Sequence, residues 1–160
     1  MPDAILLRRF RQDDLPALID LFRDTVRRVN VRDYTPEQVR AWAPDEIDPA
    51  KWRSFEGRFA IVAEAEGRIV GFADLEADGH LDRFFVHAEM QGRGVGRALL
   101  QELLREAERL SLPRIFADVS ITARPFFERH GFVVLAEQSV EVRGERLTNY
   151  RMELALSGRS

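Results

Sequence analysis

The chain contains no cysteine, which excludes disulfides, thiolate zinc sites and cysteine nucleophiles. Its three histidines are scattered without ligand spacing, so no metal site is expected. No apolar run approaches the roughly 20 residues of a membrane helix. The opening MPDAILLRRF turns charged too early to form a signal-peptide core. A cytoplasmic protein with no membrane partner is the expectation. Positive charge is not in excess: 24 Lys and Arg face 27 Asp and Glu, for a formal net charge of −3. Nucleic acid is therefore not an expected partner. No repeat, low-complexity stretch or linker interrupts the 160 residues, so one domain spanning 1–160 is expected.

What is present is ordinary for a folded chain: 45% apolar and 32% charged residues. Ile5–Arg9 reads as a short strand. Asp13 or Asp14 then caps a helix carrying Leu15, Leu18, Ile19, Phe22 and Val26 at helical spacing. Thr35-Pro36 opens a helix over Glu37–Ala43, and Asp48-Pro49 opens a shorter one with Trp52 and Phe55. Phe59–Glu64 and Ile69–Leu75 form a hairpin about Gly67. His80–Val86 is a third strand, Arg97–Leu110 an amphipathic helix and Arg114–Val119 a further strand. A short helix, Pro125–Arg129, ends at Gly131. Phe132–Leu135, Gln138–Arg143 and Arg146–Leu156 are late strands, the last two turning at Gly144. The class is α/β, a mixed sheet with helices.

The informative stretch is a strand, then Gln91-Gly92-Arg93-Gly94-Val95-Gly96, then a helix. Three glycines let backbone approach a ligand without side chains in the way. The first helical turn has unpaired N–H groups and the positive end of the dipole. Together they suit a phosphate, with Arg93 and Arg97 adding donors. The glycine spacing differs from the dinucleotide fingerprint, and the Gly-Lys-Ser/Thr of nucleotide triphosphate loops is missing.

Gln91-x-x-Gly94-x-Gly96 after Arg83-Phe84-Phe85-Val86, with Ala98-Leu99-Leu100 following, resembles the acetyl-CoA signature of the GNAT superfamily of N-acetyltransferases. Pro125-Phe126-Phe127-Glu128-Arg129-His130-Gly131-Phe132 resembles the family's late helix and Gly-Phe ending. The segments 34–44, 120–125 and 147–152 are similar to a bacterial branch of small-substrate members of the YafP type. The resemblance implies a central, mostly antiparallel sheet, splayed at the cofactor site and flanked by helices. It implies acetyl-CoA as cofactor, its pyrophosphate on the backbone of Gly92, Arg93, Gly94, Val95, Gly96 and Arg97. Phe84, Phe85 and Val86 would run along the pantetheine arm as a neighbouring strand would. An N–H near Phe84 would polarise the thioester carbonyl. Ser120 stands where many relatives carry an asparagine that touches the same arm. Relatives are often dimers, so the resemblance admits a homodimer, and nothing in the sequence itself decides the oligomeric state.

The acid and base are less regular. Many relatives place a tyrosine acid four residues before the glycine of the Gly-Phe ending. Here that residue is Phe127, which has no proton to give. Tyr150 on the last strand is the candidate acid. His80 is the candidate base, matching a glutamate or histidine in some relatives, and imidazole titrates near neutrality. Asp82, two residues on, would share its strand face. Tyr34, Trp42 and Trp52, among several carboxylates, would suit a small cationic or aromatic amine. Transfer of acetyl to a small-molecule amine is the leading function. Acetylation of protein N-termini and non-catalytic acyl-CoA binding are the alternatives.

Overall fold

The computed structural model describes residues 4–55 and 57–156. Strand β1 (Leu6–Arg9) leads to helix α1 (Leu15–Arg28), helix α2 (Pro36–Trp42), and strands β2 (Phe59–Ala65), β3 (Arg68–Leu75) and β4 (Leu81–Val86). Helix α3 (Val95–Arg109), strand β5 (Arg114–Ser120), helix α4 (Arg124–Arg129) and strands β6 (Val133–Val142) and β7 (Glu145–Ala155) complete the chain. Strands β1-β2-β3-β4 form one antiparallel sheet and β5-β7-β6 a second.

The central strands of the first sheet are buried on both faces because their side chains alternate into two cores. Ile61, Ala63 and Ala65 join Leu99, Leu100 and Leu103 of α3. Ala60, Val62 and Phe72 face Leu18, Ile19, Phe22 and Val26 of α1. Each fully buried large aliphatic contributes about 1.5–3 kcal/mol, so this double-sided packing carries most of the fold. Gly71 lets α3 lie close: a Cβ there would meet Val95 Cγ1 at 2.8 Å.

Local structure corrects several sequence expectations. Asp14 precedes α1, but its carboxylate turns back to Arg8 at 2.8 Å and to the Arg11 N–H at 2.7 Å instead of capping that helix. The Asp48-Pro49 segment is a 3-10 helix, Pro49–Phe55. Two expected strands, Phe132–Leu135 and Gln138–Arg143, merge into β6, with an irregularity between Val134 and Ala136. Helix α3 starts at Val95 rather than Arg97, because Gly94 caps it in the left-handed region at φ 89°. Helix α2 matches expectation closely. Thr35 Oγ1 accepts from the Gln38 N–H at 3.1 Å, and Gln38 Oε1 accepts from the Thr35 N–H at 2.8 Å. No helix among the described residues is long and apolar enough to cross a membrane.

Candidate active site

The two sheets meet at one point. A parallel bridge joins His80 to Phe116, and the Phe116 N–H donates to the Gly79 carbonyl at 3.0 Å. Gly79 permits this approach, since a Cβ there would stand 2.5 Å from the Arg114 carbonyl oxygen. Beyond it, β4 and β5 belong to different sheets and a gap lies between them. The His87 N–H donates to the Val70 carbonyl, so residue 87 pairs back toward β3. By strand alternation the backbone N–H groups of Phe84 and Val86 then face the gap. The Val86 carbonyl already accepts from Thr25 Oγ1 at 3.1 Å and Gln91 Nε2 at 2.8 Å.

A register shift in the β3–β4 pair shapes this edge. The extra residue in β4 turns Leu81 and Phe84 to the α3 side and Phe85 to the α1 side. The buried Asp74 holds the irregularity. It accepts from the Arg83 N–H at 2.7 Å and from Arg58 Nη1 at 2.9 Å. Burial pushes its carboxyl above the ordinary range, against the pull of Arg58.

At the C-terminal end of β4 the glycine loop lines a cleft of about 470 Å³. Gly92 and Gly94 have φ of 74° and 89° with open space around them, so backbone conformation is what requires glycine there. Gly96 answers a different need: a Cβ would press on Phe126 at 3.1 Å. The Gly94 carbonyl accepts from the Ala98 N–H at 3.0 Å, so the N–H groups of residues 95–97 have no partner within the helix. These donors, the dipole end and Arg97 at the cleft wall form an anion cradle. Arg129 and His130 line the same cleft.

On the other side of the splay lies a second cavity of about 400 Å³. Phe22, Tyr34, Trp42 and Trp52 form its aromatic wall, and Asp82 and Asp118 line it from β4 and β5. Phe22 packs edge-on against Trp42, Trp52 and Phe85. Burial draws the Asp118 carboxyl upward, but hydrogen bonds from Arg151 at 2.7 Å and Gln138 at 3.0 Å outweigh it and hold it below the usual range. The Tyr34 hydroxyl donates to the Thr148 carbonyl at 2.6 Å and accepts from the Ile121 N–H at 2.9 Å. Burial raises its pKa, and these two bonds give the hydroxyl a structural job. The two cavities touch: Phe84, Phe85, Ser120, Ala123 and Phe127 border both.

The structure brings together most of the residues singled out from sequence. Phe84, Phe85, Val86, Gln91, Gly92, Gly94, Gly96, Arg97, Ser120 and Phe127 line the first cavity, and Asp82 lines the second. Val95 is buried beneath the loop and Arg93 is exposed beside it. His80 lies just before β4, outside both linings, with its Nδ1 on Glu76 and its ring stacked on Phe116 at 5.2 Å. It does not pair with Asp82, which is taken by Arg58 at 2.6 Å. Tyr150 also lines neither cavity; Arg124 covers its ring at 4.5 Å. Sequence reasoning missed Thr25 and Asn30, which line the first cavity. The available signal was a polar residue within the apolar stripe of α1: Thr25 is only 4% exposed. Among the described residues no group of three or more His, Asp or Glu could hold a metal.

The family model described as acetyltransferase (GNAT) domain matches residues 30–154. The uncharacterized N-acetyltransferase YafP of Escherichia coli strain K12 is 35% identical over 149 residues, covering 92% of this chain and 94% of its own. A crystal structure of a GCN5-related N-acetyltransferase from Rhodopseudomonas palustris superposes with a TM-score of 0.92 at 30% identity, covering 98% of both chains. The paiA N-acetyltransferase of Thermoplasma acidophilum, solved with coenzyme A, shares the fold at a TM-score of 0.76 and 19% identity, over 95% of this chain and 99% of its own.

Proposed function

This chain belongs to the GNAT acetyltransferase family, and on that premise we propose that it is a single domain transferring acetyl from acetyl-CoA to an amine of a small molecule. The observation that carries this reading is the junction of two cavities across the β4–β5 splay. A two-substrate transfer needs two clefts that meet where the acyl carbon sits.

Acetyl-CoA supplies an acyl group on a good leaving group, and the chain's own residues do the rest. Backbone N–H groups of the 92–97 loop, with Arg97, bind the pyrophosphate. Phe84, Phe85 and Val86 align the arm along the open edge of β4. The Phe84 N–H donates to the carbonyl oxygen as charge develops there. The fit is supported by Gly92 and Gly94, which line the cleft without side chains at positive φ, and by Gly96, which keeps that wall free of a Cβ. Asp118 faces the amine nitrogen from the rim of the second cavity, and the aromatic wall excludes water and packs the organic part. The proton leaves the amine through water. His80 and Tyr150, outside both linings, act on the reaction only through water or neighbouring side chains.

The aromatic cavity favours a compact acceptor over an extended peptide. Incubation with acetyl-CoA and a panel of small amines and N-terminal peptides, following free thiol, tests this. Thiol release with small aromatic or cationic amines is the expected result. Turnover of peptides alone would overturn the small-molecule assignment, and absence of turnover with every acceptor would overturn the enzymatic one. The site needs no second subunit in this scheme, and sedimentation tests whether the chain forms a homodimer.

A further inference from the structure

Ser120 is the one polar side chain among the five residues that border both cavities. On the functional reading above, that junction is where the reacting atoms lie. A serine hydroxyl has one hydrogen and two lone pairs. The Ala123 N–H donates to Ser120 Oγ at 3.0 Å, and Asn30 Nδ2 donates to it at 3.3 Å. Both donors are fixed: Ala123 by the entry to α4, and Asn30 by burial, at 6% exposure, in the turn after α1. With both lone pairs filled, the hydroxyl can only donate. No acceptor among the described residues takes its hydrogen, which is left to the cavity junction. Phe127 borders the same junction and has no donor.

We propose that Ser120 donates its hydroxyl hydrogen to the sulfur of coenzyme A as the thiolate departs, and that Asn30 positions Ser120 for this by occupying its second lone pair. The amine lone pair forms the C–N bond, the C–S bond breaks and its electron pair stays on sulfur. The proton lost by nitrogen goes to water. The Ser120 O–H holds the charge on sulfur until solvent protonates it. Serine keeps its proton throughout, since the thiol itself ionises near about 8.5 and an alkoxide is far more basic.

Bound coenzyme A is the probe. Its thiol is titrated by thiolate ultraviolet absorbance in the wild type and in Ser120→Ala, and single-turnover acetyl transfer is measured beside it. The bound thiol should titrate about one to two pH units lower in the wild type than in Ser120→Ala. The single-turnover rate should fall about 10- to 100-fold in Ser120→Ala, and Ser120→Thr should restore both readouts to within about threefold. Asn30→Ala frees one lone pair and should give an intermediate titration; it carries the test if Ser120→Ala does not fold. Identical titrations in wild type and variants, or a loss confined to coenzyme A affinity, would overturn the proposal. The titration needs only bound coenzyme A. A wild type that binds it but turns over no amine overturns the functional reading alone, and one that binds no coenzyme A overturns both.

Discussion

Replacing Arg58 by methionine would expose how the cofactor edge of β4 is held. Arg58 is 20% exposed and reaches three carboxylates: Asp74 at 2.9 Å, Asp82 at 2.6 Å and Glu76 at 3.3 Å. Asp74 is fully buried. Without Arg58 it keeps the Arg83 N–H at 2.7 Å and the Arg83 guanidinium at 3.9 Å. Breaking a buried pair by removing one partner costs about 3–5 kcal/mol. The remaining Arg83 contacts place this case near about 3 kcal/mol, a fall in Tm of roughly 6–12 °C for a chain of this length. The pH dependence follows from burial, which already raises the Asp74 carboxyl above its ordinary 3.8. The native state therefore holds a proton that the unfolded chain has given up, and stability falls as pH rises through a window opening at 3.8. Loss of Arg58 extends that window upward, so Arg58→Met should be more destabilising at about pH 8 than at about pH 5. Thermal melts followed by circular dichroism at both pH values provide the assay. A shift below about 2 °C at the higher pH, or equal shifts at both, would refute a buried Asp74 charge held by Arg58.

Gly94→Ala puts a Cβ on a residue at φ 89°, a strain of about 1–2 kcal/mol. The KM for acetyl-CoA should rise about 5- to 30-fold with kcat little changed, measured by thiol release. Trp42→Ala removes part of the aromatic wall, so acceptor KM should rise about tenfold or more while coenzyme A affinity by calorimetry stays within about twofold. Asp118→Asn should raise the KM of a cationic acceptor about five- to tenfold, whereas His80→Ala should change kcat by less than about threefold. The reverse ranking in steady-state kinetics would place the proton chemistry at His80.

Elements with a single dominant pattern were legible in the sequence. The α1 and α3 stripes, the Thr35-Pro36 helix start and the glycine loop all follow from spacing or from backbone chemistry that local sequence encodes. The loop could be read because its demands, positive φ at Gly92 and Gly94 and free N–H groups at a helix start, are local. What stayed hidden depends on contacts between distant residues. The β4 irregularity that orients Phe84 rests on Asp74 and Arg58, which lie on β3 and just ahead of β2. Strand alternation alone set His80 beside Asp82, but Glu76 and Phe116 claim His80 while Arg58 claims Asp82. One of the two hydrogen bonds that Ser120 Oγ accepts comes from Asn30, 90 residues away in sequence. The residues matching the family motif could be named from sequence, and the surroundings of His80, Asp82 and Tyr150 could not, because they are set by packing between distant elements.

A crystal structure with coenzyme A and an unreactive amine acceptor bound would bear most directly on the two-cavity arrangement. The expected result has the pyrophosphate within hydrogen-bond distance of the N–H groups of residues 92–97, the arm between β4 and β5, the sulfur beside Ser120 and the amine against the Trp42 wall. A coenzyme bound away from the glycine loop, or an acceptor entering on the same side as the coenzyme, would contradict it.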